Sequence, residues 1–253
     1  MKGFNLEKIN LEIFGKNILK NISTSFLPGT ITGIVGPNGA GKTSLLKVLA
    51  GIYKPNDGVV YFKRKKINNY NRVELAKKIS YLPQEISIAW PLSVYNTVSI
   101  GLFVFKKNEI SEDFRRKKIF SILQELDLDE KHNTLVNKLS TGERARVCLA
   151  RALVGIPEFL LADEPVSFLD PFYQITILDL LRKKSKDGMA SIIVMHDLNL
   201  AKRYCDNIVI IEDGNIFFEG TPEVSFNNEI LRTIFSVEYD DNNNIQKYSL
   251  GKK

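Results

Sequence analysis

Cysteine is scarce in this chain of 253 residues, and so is everything else that would mark it as disulfide-stapled or membrane-spanning. Its two cysteines, Cys148 and Cys205, lie far apart with no metal-ligand partners nearby. Neither a disulfide framework nor a thiolate metal site is therefore expected, and a reducing compartment is. The opening Met1-Lys2-Gly3-Phe4-Asn5-Leu6-Glu7 lacks the apolar stretch of a secretory signal. No window approaches the roughly 18–20 apolar residues that span a bilayer. The richest run, Trp90 to Phe105, is broken by Ser93, Asn96, Thr97 and Ser99, so any membrane role is expected to come through a partner. There is no internal repeat and no low-complexity linker. What is present is ordinary for a globular protein: 44% hydrophobic and 25% charged residues, which excludes a disordered or fibrous chain. Lys plus Arg number 35 against 29 Asp plus Glu, a net charge of +6. That mild excess fits nucleic acid, a membrane surface, an anionic small molecule or merely a solvated basic surface, and selects none of them.

The first third reads as strands, with Leu6, Ile9, Leu11, Ile13, Ile18, Ile22 and Phe26 spaced in β-favouring sequence before a Pro28-Gly29 turn. Thr30 to Val35 is a short apolar run of the kind a buried parallel strand needs. Lys42 to Ala50 carries Leu45, Leu46, Val48 and Leu49 at helical spacing and stops at Gly51. Further apolar runs at Phe159–Ala162, Ser191–Met195 and Ile208–Ile211 are separated by the helical patterns Phe172–Lys184 and Leu198–Cys205. Strands alternating with helices predict a mostly parallel sheet covered on both faces. Between Ile86 and Gly155 three segments read helical, Ser93–Phe103, Asp113–Leu126 and Glu143–Val154, which predicts a helical insertion of about 70 residues. After Val237 the sequence turns polar and is expected to fray.

Gly36-Pro37-Asn38-Gly39-Ala40-Gly41-Lys42-Thr43 matches G-x-x-x-x-G-K-[ST] between a predicted strand and a predicted helix. Glycines let the backbone curl so that several N–H groups converge, and the helix start adds positive potential. Lys42 then supplies an ammonium for β- and γ-phosphates, and the Thr43 hydroxyl a ligand for Mg²⁺. Phe159 to Ala162 ends in Asp163-Glu164-Pro165, so two carboxylates stand at a strand end, where parallel sheets place their ligands. Successive side chains diverge, which lets Asp163 approach Mg²⁺ through water while Glu164 orients and deprotonates an attacking water. His196 directly follows the next apolar strand and is placed to reach the γ-phosphate or that water. His132, in a polar Lys131-His132-Asn133 stretch, reads as surface.

The order of these motifs resembles the nucleotide-binding subunit of ATP-binding cassette (ABC) transporters, over the chain up to about Val237. Gly36 to Thr43 is similar to the family's Walker A motif, and Phe159 to Glu164 to its Walker B. Tyr81-Leu82-Pro83-Gln84 resembles the Q-loop, Leu139-Ser140-Thr141-Gly142-Glu143 the signature, Ser167-Phe168-Leu169-Asp170 the D-loop, and His196 the switch histidine. The resemblance implies an α/β P-loop NTPase fold with a mostly parallel sheet, N-terminal antiparallel strands and an inserted α-helical subdomain. Residues 1–85 and 156–237 would form the RecA-like ATP-binding core, 86–155 the helical signature subdomain and 238–253 a polar tail. It also implies a Mg²⁺-dependent ATPase working as a head-to-tail homodimer. In it Phe14 stacks on adenine, and the Walker A residues with Ser44 hold the phosphates. Thr43, Gln84 and Asp163 serve Mg²⁺, with Glu164, His196 and Lys42 as the catalytic groups. Ser140, Gly142 and Glu143, with Asp170 of the D-loop, would face the nucleotide of the opposite subunit. Thr141 replaces the family's usual signature glycine, and its β-branched side chain is expected to alter the local backbone or weaken closure. Ala145 also stands where a polar residue is usual.

His196-Asp197-Leu198-Asn199-Leu200-Ala201, Gly220-Thr221-Pro222-Glu223-Val224 and Leu231–Val237 resemble the iron-chelate, haem and cobalamin importers. Zinc and manganese importers carry similar text after the Q-loop, and Trp90-Pro91 leans toward them. The resemblance implies a membrane permease partner, a substrate-binding protein, a peripheral place on the cytoplasmic face of the membrane, and no nucleic-acid partner. Trp90 to Phe105 has two readings, a groove for a permease helix or the apolar face of a buried helix. A soluble ABC ATPase of iron–sulfur assembly, DNA repair or translation is the alternative from another class. The repair type needs long coiled coils, and the roughly 95 residues between Lys42 and Leu139 hold no sustained heptads. Translation members usually carry two cassettes, and here there is one. Glu164 argues against a non-hydrolysing regulator.

Overall fold

The structure, a computed structural model, describes residues 3–85, 91–106, 108–240 and 244–248. The spaced apolar residues at the front form β1 (Phe4–Ile13) and β2 (Lys16–Phe26), an antiparallel pair turning at Phe14-Gly15, both at positive φ. Then come β3 (Ile31–Val35), α1 (Lys42–Leu49), β4 (Asp57–Phe62), β5 (Lys65–Lys66), α2 (Arg72–Ala76) and β6 (Ile79–Leu82). Three helices follow, α3 (Val94–Ser99), α4 (Glu112–Glu125) and α5 (Thr141–Leu153). The α/β alternation resumes with β7 (Phe159–Asp163), α6 (Pro171–Lys186), β8 (Ala190–Val194), α7 (Leu198–Tyr204), β9 (Asn207–Glu212) and β10 (Asn215–Gly220). Short helices α8 (Pro222–Ser225) and α9 (Asn228–Ile230) lead to a hairpin of β11 (Val237–Tyr239) and β12 (Ile245–Lys247).

The central sheet has the order β10-β9-β3-β8-β7-β6, parallel except for β10. The antiparallel sheet has the order β2-β1-β4-β5. Side chains of the parallel strands alternate between two cores, as a period of two requires. Ile34, Leu161, Ile192, Val194, Val209 and Ile211 face one core, shared with α1 and the antiparallel sheet. Leu160, Ala162, Ile193, Ile208 and Ile210 face the other, shared with α5, α6 and α7. Both cysteines are buried as free thiols, Cys148 on α5 and Cys205 after α7.

Helix starts follow side-chain caps. Ser93, Ser111, Asp170 and Asp197 each accept a backbone N–H from the first turn of α3, α4, α6 and α7. Ser140 does so for α5, and for that reason the helix begins two residues before the expected Glu143.

Two expectations need correction, and a third resolves residue by residue. The polar segment after Val237 does not simply fray: Tyr239 N–H donates to Asn228 Oδ1 at 2.8 Å, Arg232 pairs with Glu238 at 2.6 Å, and Tyr239 and Ile245 pack on the main core. Residues 241–243 and 249–253 lie outside the described residues. His132 is half-buried rather than a surface residue, its Nδ1 2.6 Å from the Asp129 carbonyl and its ring edge-on to Phe120. The Trp90 to Phe105 stretch divides between its two readings: Val94, Val98 and Leu102 are buried, whereas Phe103 is 73% exposed. Trp90 itself lies outside the described residues. No helix among the described residues is long and apolar enough to cross a membrane.

Candidate active site

The chain leaves β3 through a loop that only glycine can make. Gly36 has φ 148°, and a Cβ there would stand 2.0 Å from the Ile211 carbonyl oxygen of β9. Gly41, at φ 105°, occupies the N-cap of α1, where a Cβ would meet the Ile18 carbonyl oxygen at 2.9 Å. The loop is thereby pressed between β2 and β9 and opens α1 toward the carboxyl ends of β3, β7 and β8. This is the crevice where parallel sheets bind ligands.

A cavity of about 640 Å³ opens there, lined by Asn38, Gly39, Ala40, Gly41, Lys42, Thr43, Ser44, Gln84, Glu164 and His196, with Ile18 and Val194 as apolar wall. Lys42 is almost fully buried, and its Nζ donates to the Gly36 and Pro37 carbonyl oxygens, both at 2.8 Å. Burial lowers its pKa, against the opposing pull of Glu164 and Asp163. Asp163, only 2% exposed at the end of β7, accepts a hydrogen bond from Thr43. Its pKa is raised, chiefly by burial, with the Thr43 bond opposing. Its Oδ1 has no partner. A buried carboxylate oxygen without a donor, bonded through its carboxylate to the Thr43 hydroxyl that lines the cavity together with Gln84, gives an all-oxygen donor set suited to a hard divalent cation.

Glu164 is held differently. Its backbone sits at φ 52°, a left-handed conformation unfavourable for a non-glycine residue. Its N–H donates to the Val194 carbonyl oxygen at 3.2 Å, Ser167 Oγ donates to its Oε2 at 2.8 Å, and its Oε1 lies 2.6 Å from His196 Nε2. The backbone turn after β7 thus swings the carboxylate onto the histidine that follows β8.

Other expected residues lie elsewhere. Phe14 is fully exposed on the β1–β2 turn and does not line the cavity. Ser140, Gly142 and Glu143 form the start of α5, also off the cavity. A Cβ on Gly142 would come within 3.5 Å of the Phe168 carbonyl oxygen, so the helix tip rests against the loop that ends at Asp170. Asp170 caps α6 by accepting the Tyr173 N–H at 3.0 Å. Thr141 needs no unusual backbone: it is the first residue of α5, exposed, with its hydroxyl accepting from Arg144 Nη2 at 3.3 Å. That expected distortion is absent.

Three contacts were not foreseen: Ser167 on Glu164, the Ser140–Glu143 capping box, and Lys131 against Glu143. Only the capping box has a local signal, serine followed three residues later by glutamate.

The ABC transporter family matches residues 19–167. The chain belongs to that family. It is accordingly an ATP-hydrolysing enzyme, with the mixed α/β fold of ABC ATPases. Over 237 residues this ABC ATPase is 36% identical to the hemin import ATP-binding protein HmuV of Shewanella denitrificans, covering 91% of this chain and 92% of that protein. Among solved structures it resembles the dimeric post-hydrolysis state of the cassette MJ0796 bound to ADP and Pi, with a TM-score of 0.79 and 29% identity. That match covers 87% of this chain and 98% of the other. The cbiO1 protein of Clostridium perfringens, part of the ABC transporter complex cbiONQ, also gives 0.79, at 31% identity, covering 91% of this chain and 92% of that one.

Proposed function

We propose that this ABC ATPase is the motor subunit of an importer for an iron chelate, haem or cobalamin, driving a membrane permease fed by a substrate-binding protein from the cytoplasmic face of the membrane. The observation that carries the ATPase mechanism is the convergence of Lys42, Thr43, Gln84, Asp163, Glu164 and His196 at one end of the sheet. The likeness to hemin import proteins over nine-tenths of the chain supports the substrate class.

In this reading residues 1–85 and 156–237 form the ATP-binding core, 86–155 the signature subdomain and 238–253 a polar C-terminal segment whose Tyr239 and Ile245 pack on the core. Phe14 offers its exposed ring to adenine, and Gly36 through Ser44 cradle the phosphates with backbone N–H groups. Lys42 exchanges the Gly36 and Pro37 carbonyls for β- and γ-phosphate oxygens. Thr43, Gln84 and Asp163 would hold Mg²⁺, directly or through water, and the ion would neutralise charge on the phosphates. Glu164 orients a water and takes its proton as the water oxygen attacks the γ-phosphorus. The bond to the bridging oxygen breaks, releasing ADP and phosphate. His196 keeps the Glu164 carboxylate in place. Ser140, Gly142, Glu143 and Asp170 complete the site of a second copy, so two nucleotides close a head-to-tail dimer. Closure is then driven by ATP binding the paired state better than the open one.

The test is Glu164→Gln in the full chain. It should lose ATP hydrolysis by about 100-fold or more, yet bind ATP and accumulate a dimer measurable by light scattering. Hydrolysis at the parent rate would remove Glu164 as the base. Reconstitution with permease and binding protein, screened against haem, iron chelates, cobalamin and divalent metals, tests the substrate; stimulation by zinc or manganese alone would overturn that assignment.

A further inference from the structure

The start of α5 presents two opposed charges to any anion approaching it. The first-turn amides have no intrahelical acceptors and attract negative charge. The carboxylate of Glu143, in that same turn, repels it. The fold deals with this carboxylate in two ways. Glu143 Oε2 accepts the Ser140 N–H at 2.8 Å, while Ser140 Oγ accepts the Glu143 N–H at 3.2 Å. With its oxygen so engaged, the Ser140 hydroxyl keeps its proton as a donor to the outside. Glu143 Oε1 is in contact with Lys131 Nζ, brought in from a 3-10 turn at Asp129–Lys131. The glutamate side chain is 16% exposed and the lysine 48%, so the carboxylate is the more enclosed member of the pair. Arg144 is turned to Thr141 instead, and Asp129 and Glu130 on the lysine's own turn are acidic. Lys131 is therefore the cation assigned to Glu143.

We propose that Lys131 is a positioning residue for ATP-driven pairing of two copies. It cancels the Glu143 charge and clamps the capping box, so that the Ser140 hydroxyl and the Thr141 and Gly142 amides of α5 meet the partner copy's triphosphate without a repelling carboxylate. The proposal rests on the two-copy reading above. Like charges across a closing interface are costly, and each dimer has two such tips, so one substitution acts twice.

The experiment uses the full chain carrying Glu164→Gln, with Mg²⁺-ATP, and reads the dimer dissociation constant by sedimentation. Lys131→Ala should weaken the dimer about tenfold, a few-fold at each tip, and Lys131→Arg should retain it. Adding Glu143→Gln to Lys131→Ala should restore the parent value to within about twofold, since a glutamine still accepts the Ser140 N–H but leaves no charge to cancel. Binding of a fluorescent ATP analogue to the monomer should not change with Lys131→Ala. An unaltered dimer constant for Lys131→Ala overturns the proposal. So does a double variant as weak as Lys131→Ala, which would make the lysine a packing residue. If Glu164→Gln alone never dimerises with ATP, the two-copy reading falls first and this inference falls with it.

Discussion

Glu164 occupies a backbone conformation that costs on the order of 1–3 kcal/mol, and three contacts hold it there: the Val194 carbonyl, Ser167 and His196. Lys42 is a contrasting case, because its two partners are carbonyls of its own loop, the groups a mobile ammonium can exchange for phosphate oxygens. Lys42→Ala should therefore leave the fold intact while lowering hydrolysis by about 100- to 1000-fold, checked by phosphate release at saturating ATP alongside a thermal melt. Retained turnover would mean that the ammonium serves only to brace the loop. Gly36 is equally constrained for a steric reason, since a side chain would collide with β9.

At the level of elements, β3, β7 and β8 were legible because strands buried on both faces read as continuous apolar runs. The tight glycine loop between β3 and α1 was legible because its glycines, lysine and threonine fall within eight residues. Contacts set by tertiary approach were not. Lys131 reaches Glu143 across twelve residues and a change of element, and no local periodicity encodes that meeting. The β11–β12 hairpin was missed because Asp and Asn disfavour strands; packing of Tyr239 and Ile245 on the core overrides the propensity. The start of α5 also has a pH signature. Hydrogen bonds from Lys131 and Ser140 hold the Glu143 pKa down to about 2, against an ordinary 4.5. A depressed carboxyl contributes stability that is present above the unfolded value and is lost as pH falls toward the folded one. Unfolding stability should thus decline between about pH 4.5 and 2, and Glu143→Gln should flatten that part of a denaturant-melt series. An unchanged acid slope would show the pair to be unformed in solution.

Taken whole, the molecule gathers its candidate site at one end of the central sheet, while the C-terminal hairpin packs against α9 and the turn that follows it. Deleting 238–253 removes Tyr239 and Ile245 from the core containing Ile230, Leu231 and Ile234. Losing that apolar cover should lower the melting temperature by about 3–6 °C. The turnover of the truncated chain, assayed well below its melt, should stay within about twofold of the parent. A collapse of turnover without a loss of stability would place the hairpin in the working cycle.

The two cysteines carry a practical consequence. Both thiols are buried and their pKa values raised by that burial, Cys205 to about 12, so neither offers a thiolate to a maleimide at neutral pH. The natural chain is in effect a silent background for site-specific labelling. A cysteine introduced at exposed Phe103 or Phe168 would take up a spin label or fluorophore without prior removal of the native pair.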